Sequence, residues 1–224
     1  MDIVDMLARH YPKLYHMAEP RNWDNICKYG LLSTTALLDL FEYDGQSRFE
    51  IESQLRLKKF RITHPVYGEA FIRDQDPLRD RLDEGIYLKD CLVGISPREW
   101  FEFLNRKTFF WANQTGLNFM LGARLYRYRS HYVITVDTRK LLDHHAEKVT
   151  LSEQNSGSLY TREKRSKDTF KPITEYHRMR WVREFAVEYS VPDIADIMLS
   201  VDECISRWEN NTRVCKILKR IWPP

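Results

Sequence analysis

The chain has 224 residues, 43% of them hydrophobic and 13% aromatic, enough to bury a sizeable core in one large domain or two small ones. Its 35 basic and 32 acidic side chains leave a net charge of +3, so a nucleic-acid surface would have to come from local clustering rather than overall balance. With only 8 Gly and 9 Pro, and no apolar run near the roughly 20 residues of a membrane span, a long disordered linker and a transmembrane anchor are both excluded.

The four cysteines, Cys27, Cys91, Cys204 and Cys215, form no CxxC pair, which argues against a zinc ribbon or a redox motif. Cys27 and Cys204 sit in apolar patterns and read as reduced core residues. Asp2 and Asp5 stand where a signal peptide would be basic, so the expected compartment is cytoplasmic, with no membrane partner.

Residues 3–11 carry apolar side chains at helical spacing up to Pro12. Leu14 to Met17 reads as a short strand bearing His16. Asn22 is placed to cap a helix containing Trp23, Ile26 and Cys27, and Gly30 to stop it. A second helix runs from Thr34 to Phe41, capped by Ser33 or Thr34, and a charged one over 46–57. A β-ribbon follows, Phe60 to Thr63 and Val66 to Ile72 about His64-Pro65, ending in the polar break Arg73 to Pro77.

Ser96-Pro97-Arg98-Glu99 is a capping box with Pro at the first helical position, and it starts a helix through Trp100 and Leu104. Thr108 to Trp111 reads as a buried strand, Gln114 to Tyr126 as a helix and His131 to Val136 as a strand. Residues 152–172 form the one long irregular segment, a length that points to function or mobility. In the strand after it, Phe185, Val187, Tyr189 and Val191 alternate with Glu184, Ala186, Glu188 and Ser190, predicting one apolar and one polar face. Residues 197–201 read as another strand and the tail from Thr212 as a short basic helix. Many short strands, with helices grouped early, give an α+β class over a single domain, 1–224.

Phosphate-loop, dinucleotide, nucleophile-elbow and HExxH motifs are all missing. His144-His145 reads as a solvated helix end rather than a ligand pair. Glu184 and Glu188 lie two side-chain steps apart, so their simplest reading is a pair of solvent-facing carboxylates. Basic and aromatic residues interleave from Arg124 to Arg129, with His131 and Tyr132 following, and again from Arg56 to Arg61. Such surfaces suit single-stranded DNA or RNA as well as they suit ordinary solvent.

The order of parts is more informative than any one part. Tyr15-His16-Met17 with Asn22-Trp23, then Gly30-Leu31-Leu32-Ser33, then Phe109-Phe110-Trp111, then Glu184-Phe185-Ala186-Val187 with Ser190-Val191-Pro192 resemble the ADP-ribosyltransferase fold. The likeness is closer to the DNA-modifying ADP-ribosyltransferase toxins and to an uncharacterised bacterial family with the same pieces. It spans residues 14–192 and rests on the order and spacing of short, degenerate motifs.

The resemblance implies a split β-sheet core of short strands with peripheral helices. It also implies NAD as co-substrate, without a metal, and a glycosyltransferase-class transfer of ADP-ribose to a nucleic-acid base or a protein side chain. His16 would bind the NAD ribose, with Met17 and Ser33 beside it, and Phe110 or Trp111 would pack on the nicotinamide. Glu184 would stabilise the oxocarbenium-like ribose and orient or deprotonate the acceptor. Arg73 would meet the diphosphate, with Arg56 and Arg61 as rivals. A variable acceptor loop is implied at residues 152–180, where Asn155, Ser156, Arg162 and Arg165 are candidate acceptor-binding residues, and the basic–aromatic run adds Arg127 and Arg129.

A toxin or defence role and an antitoxin-type protein partner come with the same likeness. One departure is Ala18, where the toxins carry a hydroxyl. That residue favours the alternative of a non-catalytic module binding NAD, ADP-ribose or nucleic acid on the same fold. A third reading is a nucleic-acid-binding protein with no nucleotide pocket.

Overall fold

A computed structural model describes residues 2–176 and 180–223 of the protein, so residues 177–179 of the expected acceptor loop lie outside the described residues. Helix α1 (Ile3–His10) stops before Pro12, which cannot extend a helix, and strand β1 (Lys13–Ala18) follows. Helix α2 (Trp23–Tyr29) ends on Gly30, whose φ of +81° turns the chain into β2 (Leu31–Leu32). Ser33 Oγ accepts from Ala36 N to cap α3 (Thr34–Leu40).

Helix α4 (Gly45–Glu52) is shorter than its charged sequence predicts. Its final carbonyls are taken from outside, Ile51 O by the Arg56 guanidinium and Glu52 O by Asn105 Nδ2, and this fixes its end. Strands β3 (Phe60–His64) and β4 (Gly68–Ile72) form a separate hairpin. After the short α5 (Leu88–Cys91), the Ser96–Glu99 capping box starts α6 (Pro97–Asn105) as expected.

Strand β5 (Lys107–Trp111) leads to α7 (Gln114–Leu121), which stops five residues before the expected Tyr126. Bonds from Ala123 N to Met120 O and Tyr126 N to Ala123 O tighten the chain into turns, and Tyr126 OH donates to Asp74. Then come β6 (His131–Asp137), α8 (Thr138–His145) and β7 (Val149–Ser152), the last a strand with no counterpart in the sequence reading. Strand β8 (Lys171–Pro172) closes the long irregular segment.

The expected strand over 184–191 is two strands. Tyr189, at φ +68°, separates β9 (Glu184–Glu188) from β10 (Ser190–Val191), which pairs with β2 instead. Helix α9 (Ile194–Ile197) precedes the long β11 (Met198–Glu209), and the tail is β12 (Thr212–Trp222) rather than a helix. Asn210 and Asn211 are both left-handed, making the two-residue hairpin turn that Asn favours and that fixes β12 against β11.

Eight strands form one antiparallel sheet in the order β12-β11-β6-β1-β5-β9-β7-β8. Leu14, Phe110, Ile134 and Phe185 pack with α1 and α8 residues in the main core, while Tyr15, Met17, Trp111 and Val133 pack with Leu117 and Leu121 of α7. Both faces of β9 are covered, Phe185 and Val187 packing in the main core and Ala186 in a second cluster with Trp100, Phe101 and Leu104, so the expected polar face is absent: Glu184 is buried, and Glu188 pairs with Arg106 and Lys107. Cys204 is buried as expected, whereas Cys27 is exposed on the outer side of α2. Among the described residues, no helix is long and apolar enough to cross a membrane.

Gly30 is the tightest point of this framework. A Cβ there would lie 2.5 Å from Pro192 Cα and 2.8 Å from Val191 O, in addition to its left-handed backbone. Gly30→Ala is expected to cost at least about 2 kcal/mol, combining backbone strain with overpacking. Urea unfolding of both proteins checks this.

Candidate active site

The sheet is not continuous at its middle. β1 pairs with β6 from Lys13 opposite Asp137 to Ala18 opposite Tyr132, and β5 pairs with β9 from Lys107 opposite Glu188 to Trp111 opposite Glu184. Between β1 and β5 only Tyr15 and Trp111 face each other. Beyond that pair the strands diverge, and a cavity of about 370 Å³ occupies the notch. Its walls are His16 to Glu19, Lys107 to Trp111, the Gly30–Thr34 corner, Ala70 to Gln75, Asn155 to Ser158, and Glu184. That volume is within the range of small-molecule sites.

His16 crosses the notch. Its Nδ1–H donates to Phe109 O at 2.8 Å, satisfying a carbonyl that the missing ladder leaves free. Burial and then the nearby Arg73 charge lower its pKa to about 4, against the bond to Phe109. The ring is therefore neutral at physiological pH, and with Nδ1 protonated its Nε2 is left as an acceptor, suited to a hydroxyl group.

Glu184 is 5% exposed and shares a row across the strands with Tyr15 and Trp111. Burial raises its pKa to about 7, although Ser156 N donates to both of its oxygens at 3.3 and 3.2 Å and Arg183 and Arg165 add positive charge. Two backbone-length bonds do not replace the water a buried carboxylate loses. Glu184 thus sits between its acid and base forms near neutral pH.

The remaining predicted residues sort by position. Met17, Ser33, Phe110, Trp111, Asn155 and Ser156 all line the cavity. Ser33 Oγ is already committed to the α3 cap. Phe110 is buried in the main core with its ring edge-on to His16, whereas Trp111 is half-buried, its indole resting on Gly116. A Cβ on Gly116 would lie 2.7 Å from Trp111 Cε3, so glycine is what allows the ring to lie flat there.

Among the three arginines, Arg73 is the one available to an anion. It lines the cavity, stacks 5.2 Å from the Tyr126 centroid and makes no ion pair among the described residues. Arg56 is consumed by Ile51 O, Arg73 O and Asn105 Oδ1, with burial lowering its pKa to about 10. Arg61 is outside the cavity and paired with Glu69 at 2.6 Å.

Arg127, Arg129, Arg162 and Arg165 are not in the cavity wall. Arg129 is exposed and Arg127 half-buried over Tyr128, in the turns that follow the cavity-lining Met120 and Ala123. Arg162 is exposed and leans toward Glu84. Arg165 corrects the expectation of an acceptor contact. It is 1% exposed, and its guanidinium donates inward to the carbonyls of Glu163, Asn155 and Ser158, so it shapes the loop instead. His131 is likewise buried against Tyr126 O rather than displayed.

Sequence reading missed how Arg73 is positioned. Asn22 does not cap α2. Its side chain both donates to Phe71 O and accepts from Phe71 N at 2.8 Å, while Asn25 Nδ2 donates to Glu69 O at 2.7 Å. Asn22, just before α2, and Asn25, within it, thus act as a surrogate strand for the edge of β4, and Arg73 follows directly on that strand. Their i, i+3 spacing is the only signal the sequence offers for this.

Residues 12–198 match a protein family described as "Family of unknown function (DUF7002)". No curated protein and no solved structure matches the chain.

The buried carboxylate makes a stability prediction. Folded, Glu184 holds its proton up to about pH 7, while the unfolded chain releases it near 4.5. Between those values the folded state binds the extra proton, so the contribution of Glu184 falls as pH rises and stays at its minimum above pH 7. Glu184→Gln lacks this penalty and is expected to gain stability over wild type from pH 5 to 8, by on the order of a few kcal/mol. His16, which titrates in the opposite sense, is common to both proteins and cancels. Calorimetric melts at pH 5 and 8 give the comparison.

Proposed function

The chain belongs to the DUF7002 family, and we propose that it is an NAD-dependent ADP-ribosyltransferase acting on a nucleic-acid base or, as the second choice, a protein side chain. The observation that carries this reading is the open sheet. His16 and Glu184, which the resemblance assigns to NAD binding and catalysis, line the single notch where β1 and β5 part. A split sheet core is what the sequence resemblance implies, and the order of motifs shared with the DNA-modifying group supports the same reading.

In this reading NAD supplies an activated ribose whose bond to nicotinamide breaks as the acceptor bonds to the same carbon. His16 Nε2 accepts a hydrogen bond from a ribose hydroxyl, and the Phe109 carbonyl fixes the imidazole tautomer that makes this possible. Trp111 offers a flat apolar surface for the nicotinamide ring. Arg73, unpaired and in a low-dielectric wall, neutralises diphosphate charge. Glu184, once ionised, faces the positive charge that develops at the ribose and takes the acceptor proton.

The alternative, a non-catalytic NAD- or ADP-ribose-binding module on the same fold, draws its support from Ala18. This residue lines the cavity, is 4% exposed and offers no hydroxyl where the toxin-like pattern has one.

Transfer of label from adenylate-labelled NAD to single-stranded DNA, RNA and a cell lysate decides between them. Wild type should label one acceptor class, and Glu184→Gln should lose roughly 10²–10⁴ of that rate while still binding NAD. Saturable NAD binding with no label on any acceptor selects the module, and the absence of both removes the reading. In an active protein, the rate should rise with pH through an apparent pKa near 7 as Glu184 ionises. Arg73→Ala should raise the KM for NAD more than it lowers kcat, because its contact is made before and during the reaction alike.

A further inference from the structure

Away from the notch, two imidazoles converge on one carboxylate. Helix α8 ends in His144 and His145, and both reach Asp193 in the turn between β10 and α9. His144 Nδ1 lies 2.5 Å from Asp193 Oδ2, and His145 Nε2 lies 2.6 Å from Asp193 Oδ1. The expectation of a solvated helix end holds for His144, whose side chain is 44% exposed, and fails for His145. His145 is 8% exposed, and one donor atom from each of the three residues lies within 4.8 Å of the other two.

We propose that His144, His145 and Asp193 form a binding site for a first-row divalent transition cation, with Zn²⁺ as its reference ion. Two imidazole nitrogens and a carboxylate oxygen are a donor set that such cations accept. Zinc–ligand bonds of about 2.0–2.2 Å put tetrahedral donor atoms about 3.4 Å apart. The carboxylate–imidazole gaps need to open by about an ångström and the widest gap to close by slightly more, within reach of side-chain rotation at a helix end and a turn. The cation takes the place of the ring protons that now bridge Asp193 to the two imidazoles, each neutral ring then carrying its proton on its other nitrogen.

The surroundings suit such a site. Asp137 caps the start of α8, and Leu141 and Leu142 anchor the helix in the main core, so both rings project from a fixed element. Asp193 follows Pro192, which sits against Gly30 at the cavity corner. His145 forms the dry side of the cluster, while the His144 side chain, 44% exposed, leaves an entry path and room for water in the remaining coordination positions. A bound cation cross-links α8 to the β10–α9 turn, and binding to the folded state alone raises its stability.

The test uses the full chain without a histidine tag, titrated with Zn²⁺ by calorimetry and followed by thermal melts, with Co²⁺ as a spectroscopic probe. Wild type should bind one Zn²⁺ per chain with a saturable rise in Tm. Co²⁺ should give visible bands of nitrogen and oxygen ligation, with no thiolate charge-transfer band. His144→Ala removes an exposed ligand, and its metal-free melt should match wild type. Both it and Asp193→Asn should weaken Zn²⁺ binding by more than the roughly 10–100-fold seen on losing an outer-shell partner. Unchanged affinity in His144→Ala, a thiolate band that assigns the metal to cysteine, or no Zn²⁺ binding by wild type would each overturn the site. If Asp193→Asn does not fold, His144→Ala alone decides.

Discussion

The arrangement depends on a backbone contact that occurs only once. β1 and β5 meet at Tyr15 and Trp111 and then separate, although each is fully paired on its other side. A sheet opened in this way exposes carbonyl and amide groups that must find partners. His16 supplies one by donating to Phe109 O, so the residue that occupies the opening also helps to make it tolerable. β6 and β9 pair with the diverging strands along their outer edges, so each wall of the cavity is backed by a full ladder.

The same dry environment acts in opposite directions on two ionisable groups that line the notch. It removes the proton from His16 and keeps it on Glu184 to higher pH, because in each case burial penalises the charged form. Arg73 is the third participant, a cation placed by Tyr126 and by the asparagine-pinned hairpin, near Asp74 and Glu19 but in no ion pair among the described residues. A charged side chain kept unpaired and a carboxylate kept short of solvent both cost stability. Groups left in that condition are the ones a ligand rewards.

Much of this was legible from local rules. The capping box at Ser96, the cap at Ser33 and the stop at Gly30 lie where their residue types require, and the motif order brought His16, Trp111 and Glu184 to one cavity wall. What escaped was set by partners distant in sequence. α4 ends where Arg56 and Asn105 reach its carbonyls, and α7 ends where Tyr126 is drawn to Asp74. Glu184 followed the alternating pattern of a half-exposed strand, yet residues distant in sequence, among them Trp100, Leu159 and Phe170, pack over the face it shares with Ala186. The tail misled for a different reason. Its basic run suits a helix, but Asn210-Asn211 is a hairpin turn, and a two-residue local signal outweighed eleven residues of composition.

The segment before the Glu184 strand is irregular, but it is not shapeless. Arg165 binds it from within through the carbonyls of Glu163, Asn155 and Ser158, and through its own backbone it bridges Cys91 O and Val93 N. Carbonyl oxygens are common to all residues, so this grip is indifferent to the side chains along the path, and Leu159, buried in the second core cluster, anchors it from the other side. The exposed positions Tyr160, Thr161 and Arg162 can vary in charge, size and polarity while the backbone keeps its course and Ser156 N keeps its grip on Glu184. One buried cation thereby separates the geometry of the rim from its chemistry, and a lineage could change what the rim recognises without rebuilding the residues behind it.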